Sequence, residues 1–235
     1  VRGLNFLGHH KCASIWLRDY LISVAAANGL SFAPTHLSED LPDADIRFLA
    51  NASYAYVDAQ ALRGCHLIRN PLAMVNSAYF SHRGTHPTEG WPQLEAQRAA
   101  LLGMDQDAGM ASTMDFMLRP DFHPGAIGPL LALEGWDFDD PRFLTLRMED
   151  LVKAPAARLS VAFAFMGRDD LVLPPDAAFS FQAMSGGRRA GQVDEASHYR
   201  SGDPNDWRRH VPGPVQAAIR ARFRGLLERF YPESA

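Results

Sequence analysis

Lysine is nearly missing from this sequence. Its 235 residues include 23 lysines and arginines, of which only Lys11 and Lys153 are lysine. Basic charge is not in surplus either: the formal net charge is −4. That balance argues against a nucleic-acid partner or an anionic membrane surface. Cysteine is almost as scarce, with Cys12 and Cys65 alone. Two thiols exclude a disulfide-rich framework and predict a reducing, cytoplasmic setting, although one bridge between them stays open. No apolar run approaches the ~18 residues of a membrane span. The chain is expected to enter a strand at once, without a charged and then apolar leader. A leader or anchor, if there is one, lies outside this chain. There is no internal repeat and no low-complexity tract. A hydrophobic fraction of 47% and a charged fraction of 21% are those of a globular protein. The length predicts one α/β domain over residues 1–235.

Against that scarcity, the place of one lysine stands out. Gly3 to Leu17 reads as a buried strand (Leu4, Phe6, Leu7), a tight polar loop (Gly8, His9, His10, Lys11) and the start of a helix carrying Trp16 and Leu17. Ser14 is positioned to cap that helix. Backbone N–H groups and the positive end of a helix dipole then converge on one spot, an anion site. Lys11 adds a full charge beside it. A compact ammonium suits a single bridging oxygen better than a forked guanidinium does. The competing reading is an ordinary surface lysine in a βα loop.

Further along, helical spacing runs from Ser14 to Asn28 and stops at Gly29. Leu30–Ala33 reads as a short strand ending before Pro34, and Thr35–Asp45 as a polar loop. Ile46–Leu49 fits a strand or the end of a helix. Ala52–Leu62 reads as helix. Gly64–Ile68 is a second clear strand, ending in Arg69-Asn70-Pro71, and Pro71 starts a helix to His82. Helical pieces are expected at 93–102, 111–118 and 126–133. Phe143–Arg147 is a third clear strand, followed by Glu149-Asp150-Leu151. A helix over 156–166, a short one over 176–183, a Gly/Arg-rich loop over 185–206 and a last helix over 214–230 complete the chain. Strands alternating with helices predict a parallel sheet wrapped in helices. Ligands bind such sheets beyond the carboxyl ends of the strands. The loops after Gly8, Ile68 and Leu146 therefore face one crevice.

The first loop lacks the Gly-x-x-x-x-Gly-Lys-Ser/Thr pattern of a nucleotide triphosphatase, and no apolar strand ends in an Asp suited to Mg²⁺. Lys11-Cys12-Ala13-Ser14-Ile15-Trp16 instead resembles the 5′-phosphosulfate loop of PAPS-dependent sulfotransferases, usually Lys-Ser-Gly-Thr-Thr-Trp. Arg69-Asn70-Pro71 followed by Ser77 resembles that family's 3′-phosphate motif. Glu149-Asp150-Leu151 is similar to its Tyr-Glu-Asp-Leu segment, and Ser180 to Met184 to its Ser-Phe-x-x-Met adenine segment. Arg200-Ser201-Gly202, with Asp206-Trp207, is similar to its Arg-Lys-Gly…Gly-Asp-Trp loop.

The resemblance implies a three-layer, P-loop-like α/β fold with a central parallel sheet flanked by helices. It implies PAPS (3′-phosphoadenylyl sulfate) as co-substrate, PAP as product and no metal. It places Lys11, Cys12, Ala13, Ser14, Ile15 and Trp16 at the phosphosulfate end. Arg69, Ser77, Arg200, Ser201 and Gly202 would lie at the 3′-phosphate, and Phe181 opposite Trp16 across adenine, with Met184 nearby. Each also has a plain structural reading: core aromatics for Trp16 and Phe181, core filler for Met184, a strand-end ion pair for Arg69, an ordinary helix serine for Ser77.

Three departures from the family pattern matter. Ser201 replaces a frequent lysine. Ala13 replaces a glycine, which restricts the backbone. The segment where many members carry a basic catalyst, here Phe48 to Tyr54, has neither His nor Glu. The base must still reach the acceptor's proton near Lys11. His10 and His36 are the candidates, with His9, His82 and His86 behind them. Asn51 is a possible orienting group.

The expected reaction is in-line displacement of the sulfuryl group onto a hydroxyl or amine. Lys11 and Ser14 would stabilise charge on the leaving oxygen. Residues 83–140 are the expected helical acceptor-binding region. Ten carboxylates there face only Arg83, Arg98 and Arg119, and Trp91, Met104, Met110 and Phe122 are among its apolar groups. A small hydrophobic, neutral or cationic acceptor fits that surface better than a polyanionic sugar. Two other readings remain: a P-loop small-molecule kinase, and a non-catalytic PAPS- or PAP-binding module.

Overall fold

The computed structural model describes residues 3–36 and 41–235, so part of the expected 35–45 loop lies outside the described residues. Five strands form one sheet: β1 (Leu4–Leu7), β2 (Phe32–Thr35), β3 (Ile46–Leu49), β4 (Gly64–Ile68) and β5 (Phe143–Arg147). Their spatial order is β2-β3-β1-β4-β5, and every pairing is parallel. The three inner strands are buried along their whole length. This is why they read as unbroken apolar runs and not as alternating patterns. Helices connect β1 to β2, β3 to β4 and β4 to β5, the kind of crossover a parallel sheet uses.

Alternating side chains serve two layers. Leu4, Phe6, Phe48, Cys65 and Leu67 join the larger core. Its helices include α1 (Ser14–Asn28), α3 (Pro71–Phe80), α4 (Pro92–Leu102) and α5 (Gln106–Met117). Leu7, Leu49 and Phe143 meet a smaller core on the other face, with Val57 of α2 (Tyr54–Ala59) and Trp136 beyond α6 (Pro129–Glu134). The expected three-layer arrangement is the observed one. Beyond β5 come α7 (Met148–Leu151), α8 (Pro155–Phe165), a 3₁₀ turn (Asp176–Phe179) and α9 (Phe181–Met184). Then α10 (Trp207–His210), α11 (Gly213–Arg222) and α12 (Arg224–Phe230) follow.

Of the two readings open for Ile46–Leu49, the strand is the observed one. Three expectations need correction. β2 does not end before Pro34 but runs through it; as an edge strand it tolerates the missing N–H. The segment over 176–183 is two pieces, because Ser180 is extended and caps the second by accepting from the Ala183 N–H. The last helix is interrupted at Phe223, which leaves helical geometry (φ −106°, ψ 25°) and packs into the core.

One close approach fixes the centre of the sheet. Asn5 on β1 is fully buried and donates its Nδ2 to Arg63 O at 2.8 Å, just before β4. A Cβ on Gly64 would lie 2.2 Å from Asn5 O, an impossible contact with main chain. Gly64→Ala should therefore cost about 2–4 kcal/mol or prevent folding, read as a fall in the thermal midpoint. An unchanged midpoint would show that β1 and β4 can separate without penalty.

Candidate functional site

The site grows from the exit of β1. Gly8 leaves the strand while its N–H still donates to Leu49 O. Lys11 and Ala13 then both adopt left-handed conformations, φ 70° and 56°. A side chain there costs about 1–2 kcal/mol, so the loop is held against local preference. Ala13 occupies the N-cap of α1 and has no side-chain oxygen to offer. Ser14 is not the cap: it is the first residue of the helix, and its hydroxyl donates to His9 O at 3.3 Å. The first-turn amides of α1 are thus left without a side-chain cap, which keeps them available to an anion. Cys12 is inert. It is buried with Sγ 3.9 Å from Met74 Sδ, its N–H donates to His9 O, and burial pushes its thiol up to about 12. Ile15 is exposed on the first turn.

Lys11 points its Nζ at Ser81 Oγ, 2.7 Å away. Burial, and then the nearby Arg69 guanidinium, bring its ammonium down to about 7. Arg69, just beyond the end of β4, donates Nη1 to Lys11 O at 2.8 Å, while its Nε is buried without a partner. The two cations are therefore joined through main chain, and both bear on the same crevice. Ser77 lies on α3, one turn before Ser81, whose N–H donates to Ser77 O. It thus shares a helix edge with the hydroxyl that meets Lys11.

Arg200 arrives from the long loop and lies 3.9 Å from the Phe80 ring centroid. Its Nη2 donates to Asp206, and its Nη1 to Glu195 at 3.2 Å. Burial still holds its guanidinium below its ordinary range. Asp206 is itself buried and also accepts from Asn76 and Arg209. The expected phosphate ligand thus has a carboxylate partner in this structure. Ser201 is buried, its hydroxyl accepting from the Asp203 N–H. Gly202 (φ 65°) lies under the Phe181 ring, where an added Cβ would come within 2.4 Å. Trp16 is buried, stacks with Tyr20 and donates its indole N–H to Phe179 O at 2.8 Å. That bond ties the turn before Phe181 to α1. Met184 packs partly buried against the larger core. Glu149 is a buried anchor, accepting from the Asn70 N–H and the Tyr231 hydroxyl.

The histidines are the largest surprise. His10, beside Lys11, has its Nε2 2.8 Å from His82 Nε2, and His82 Nδ1 is 2.7 Å from Gln97 Oε1. The rings of His86, Trp91 and Phe122 pack edge-on around His10 at 4.9–5.4 Å. Burial is the first cause that holds His10 and His82 well below the usual imidazole range, and it takes His86 to about 3. His36 sits exposed at the end of β2, and its carbonyl accepts from Asn51 Nδ2. His9 is elsewhere, paired with His66 at 2.7 Å in the sheet, beside Trp136. Sequence reasoning missed Ser81 and Gln97 altogether. His82 was brought in by a π-helical turn, Ser81–Thr85, that nothing in its spacing announces.

In 83–140 the apolar residues Trp91, Met110, Phe116, Met117, Phe122 and Trp136 are buried in the cores. Four of the ten carboxylates are paired with arginine: Asp121 with Arg119, Glu134 with Arg222, Asp139 with Arg229 and Asp140 with Arg142. The acidic surface is weaker than composition alone suggests.

Two outcomes follow from the loop. In the unfolded chain Lys11 titrates at its ordinary 10.5, against about 7 in the fold. The unfolded state binds more protons between those values, so this group makes stability rise with pH across that window. Lys11→Met should flatten the rise, seen in urea midpoints at neutral and alkaline pH; an unaltered slope would place the ammonium in water. Ala13→Gly relieves the left-handed alanine but loosens the unfolded chain. It should raise unfolding free energy by up to about 1 kcal/mol. A loss of that size would mean that the Ala13 methyl packing outweighs the strain.

This geometry can be set beside known proteins. No curated protein matches the sequence. A family model described as "Sulfotransferase domain" matches residues 56–231, from α2 to the end of α12. Among solved structures, mouse sulfotransferase SULT7A1 complexed with PAP is similar, with a TM-score of 0.64 and 15% identity. The match covers 99% of this chain and 86% of that one. Retinol dehydratase in complex with androsterone and inactive cofactor PAP is similar at a TM-score of 0.53 and 10% identity, over 95% of this chain and 80% of that one. No helix among the described residues is long and apolar enough to cross a membrane. With its family match running through β4, β5 and the Arg200 loop, this chain belongs to the sulfotransferase domain family.

Proposed function

We propose that this protein transfers a sulfuryl group from PAPS to the hydroxyl of a small, neutral acceptor, with His10 as the base. The observation that carries the reading is the meeting of Lys11, Arg69 and His10 at the uncapped start of α1. Bound PAPS would supply the sulfuryl group and the leaving phosphate oxygen. The fit of the chain to such a polyanionic ligand rests on the uncapped amides at Ser14, Ile15 and Trp16, the unpartnered Nε of Arg69 and a buried lysine.

In this reading Lys11 neutralises charge growing on the leaving oxygen, and the amides of Ser14 to Trp16 orient that end. Arg69 and Ser77 hold the 3′-phosphate, with Arg200 exchanging Asp206 for it and Ser201 and Gly202 shaping its loop. Trp16 and Phe181 border the adenine, with Met184 behind. His10 is preferred to His36 because it adjoins Lys11 and is enclosed by aromatic rings. Residues 83–140 form the acceptor side. Neutral imidazoles and Trp91 there favour an uncharged, hydrophobic alcohol or phenol. A cytoplasmic setting fits the two free, buried thiols.

Calorimetry with adenosine 3′,5′-bisphosphate and a sulfuryl-transfer assay over pooled phenols and alcohols test the assignment. Arg69→Ala should weaken binding of the bisphosphate tenfold or more, about 1.4 kcal/mol. Lys11→Ala should bind it nearly as well yet lose turnover on the order of 100-fold, about 2.7 kcal/mol. The reverse pattern would overturn the two roles. Binding without any transfer would instead mark a non-catalytic module.

A further inference from the structure

The contacts around His82 decide more than its position. Gln97 on α4 and His82 are both buried, at 7% and 0% exposure, and the Gln97 carbonyl oxygen faces His82 Nδ1 at 2.7 Å. An amide oxygen has no proton to give, so Nδ1 of His82 carries one. A neutral imidazole holds a single N–H. His82 Nε2 is then a bare acceptor, and the group that faces it at 2.8 Å, His10 Nε2, must donate. His10 in turn is left with its lone pair on Nδ1. We infer that Gln97 acts through His82 as a positioning residue that fixes the tautomer of His10 and so creates the base at His10 Nδ1. The catalytic half of this inference rests on the sulfuryl-transfer reading; the tautomers do not.

The relay suits a residue that must be both neutral and correctly turned. The rings of His86, Trp91 and Phe122 hold the imidazole of His10 edge-on and restrict its rotation. Charged and titratable groups facing the pair are Lys11, His86, His123 and Arg98, whose Nε donates to His82 O. Among the described residues none of these groups is a carboxylate, and burial outweighs the Gln97 hydrogen bond that would favour an imidazolium on His82 before the reaction. As the acceptor oxygen bonds to sulfur, its proton passes to His10 Nδ1. The bond from sulfur to the bridging phosphate oxygen breaks with its electron pair on that oxygen, beside Lys11. The proton on His10 leaves afterwards to solvent, and atoms and charge balance. Ordinary sequence reasoning sees none of this, since His10 and His82 are 72 residues apart and the signal is carried by an uncharged Gln97.

Nitrogen-15 correlation spectra of imidazole-labelled protein, recorded without any ligand, read the tautomers directly. His82 should be protonated at Nδ1 and His10 at Nε2, and Gln97→Met should scramble both. The opposite assignment in the wild type would overturn the inference whatever the enzyme's activity. Kinetics then test the consequence. Gln97→Met should lower kcat at least tenfold at every pH, with bisphosphate affinity and acceptor KM unchanged within about twofold. Gln97→Glu can only accept at its carboxylate, so it should restore the same tautomer once His82 is neutral. Its kcat should lie within threefold of wild type at alkaline pH, with the acidic limb moved upward. A Gln97→Glu enzyme as impaired as Gln97→Met throughout, or a Gln97→Met enzyme changed only in KM, would show that Gln97 merely packs.

Discussion

The hydrogen bond from Arg69 to the carbonyl of Lys11 is the contact on which the site depends. It joins the exits of two neighbouring parallel strands, β1 and β4, whose register sets Leu7 opposite His66. Parallel pairing sends both strands out at the same end of the sheet, so their loops must meet. The bond holds the Lys11 main chain in the left-handed conformation that lysine would not choose alone. It also brings two positive groups together without an interposed carboxylate. The resulting repulsion and burial explain the depressed ammonium of Lys11. A site kept in that state is poorly satisfied when empty and well matched to an anion.

The side proposed for the acceptor is built on a different principle. Here the protein crowds imidazoles together and keeps them uncharged through burial. Neutral rings hydrogen-bond without the penalty of a buried charge, and their protons are distributed by contact partners. Gln97 is suited to that task because it directs a tautomer without adding charge. The other buried pair, His9 with His66 beside Trp136, shows that the fold tolerates neutral histidine pairs outside the crevice too. The arginines of the far loop follow a third pattern, in which Asp206 collects Arg200, Arg209 and Asn76 into one buried network. Such a network sets the loop in place and gives Arg200 the carboxylate partner that the proposed phosphate would have to displace.

The parallel sheet, α1 with its Gly29 cap, and Lys11, Arg69 and Arg200 as anion-binding candidates were legible in the sequence. Buried strands advertise themselves as apolar runs, and loop residues at strand exits are close in chain to the strands that place them. The cap of α1 was misread because Ser14 has the right chemistry one position too late, and only the backbone of Ala13 shows which residue turns. The acidic character of 83–140 was overread. Arg142, Arg222 and Arg229 come from outside that segment to meet Asp140, Glu134 and Asp139.

What the sequence by itself determined is the set of strand-end loops and the kinds of charge they carry, because hydrophobic periodicity and turn chemistry act over a few residues. What only the tertiary structure decided is which neutral groups close around Lys11. Ser81, His82 and Gln97 arrive through a π-helical turn and the docking of α4, with Gln97 86 residues from Lys11 along the chain, a distance about which local preference is silent. Their effect is made by distance and burial, which fix where a proton sits. A string of residue types carries neither quantity.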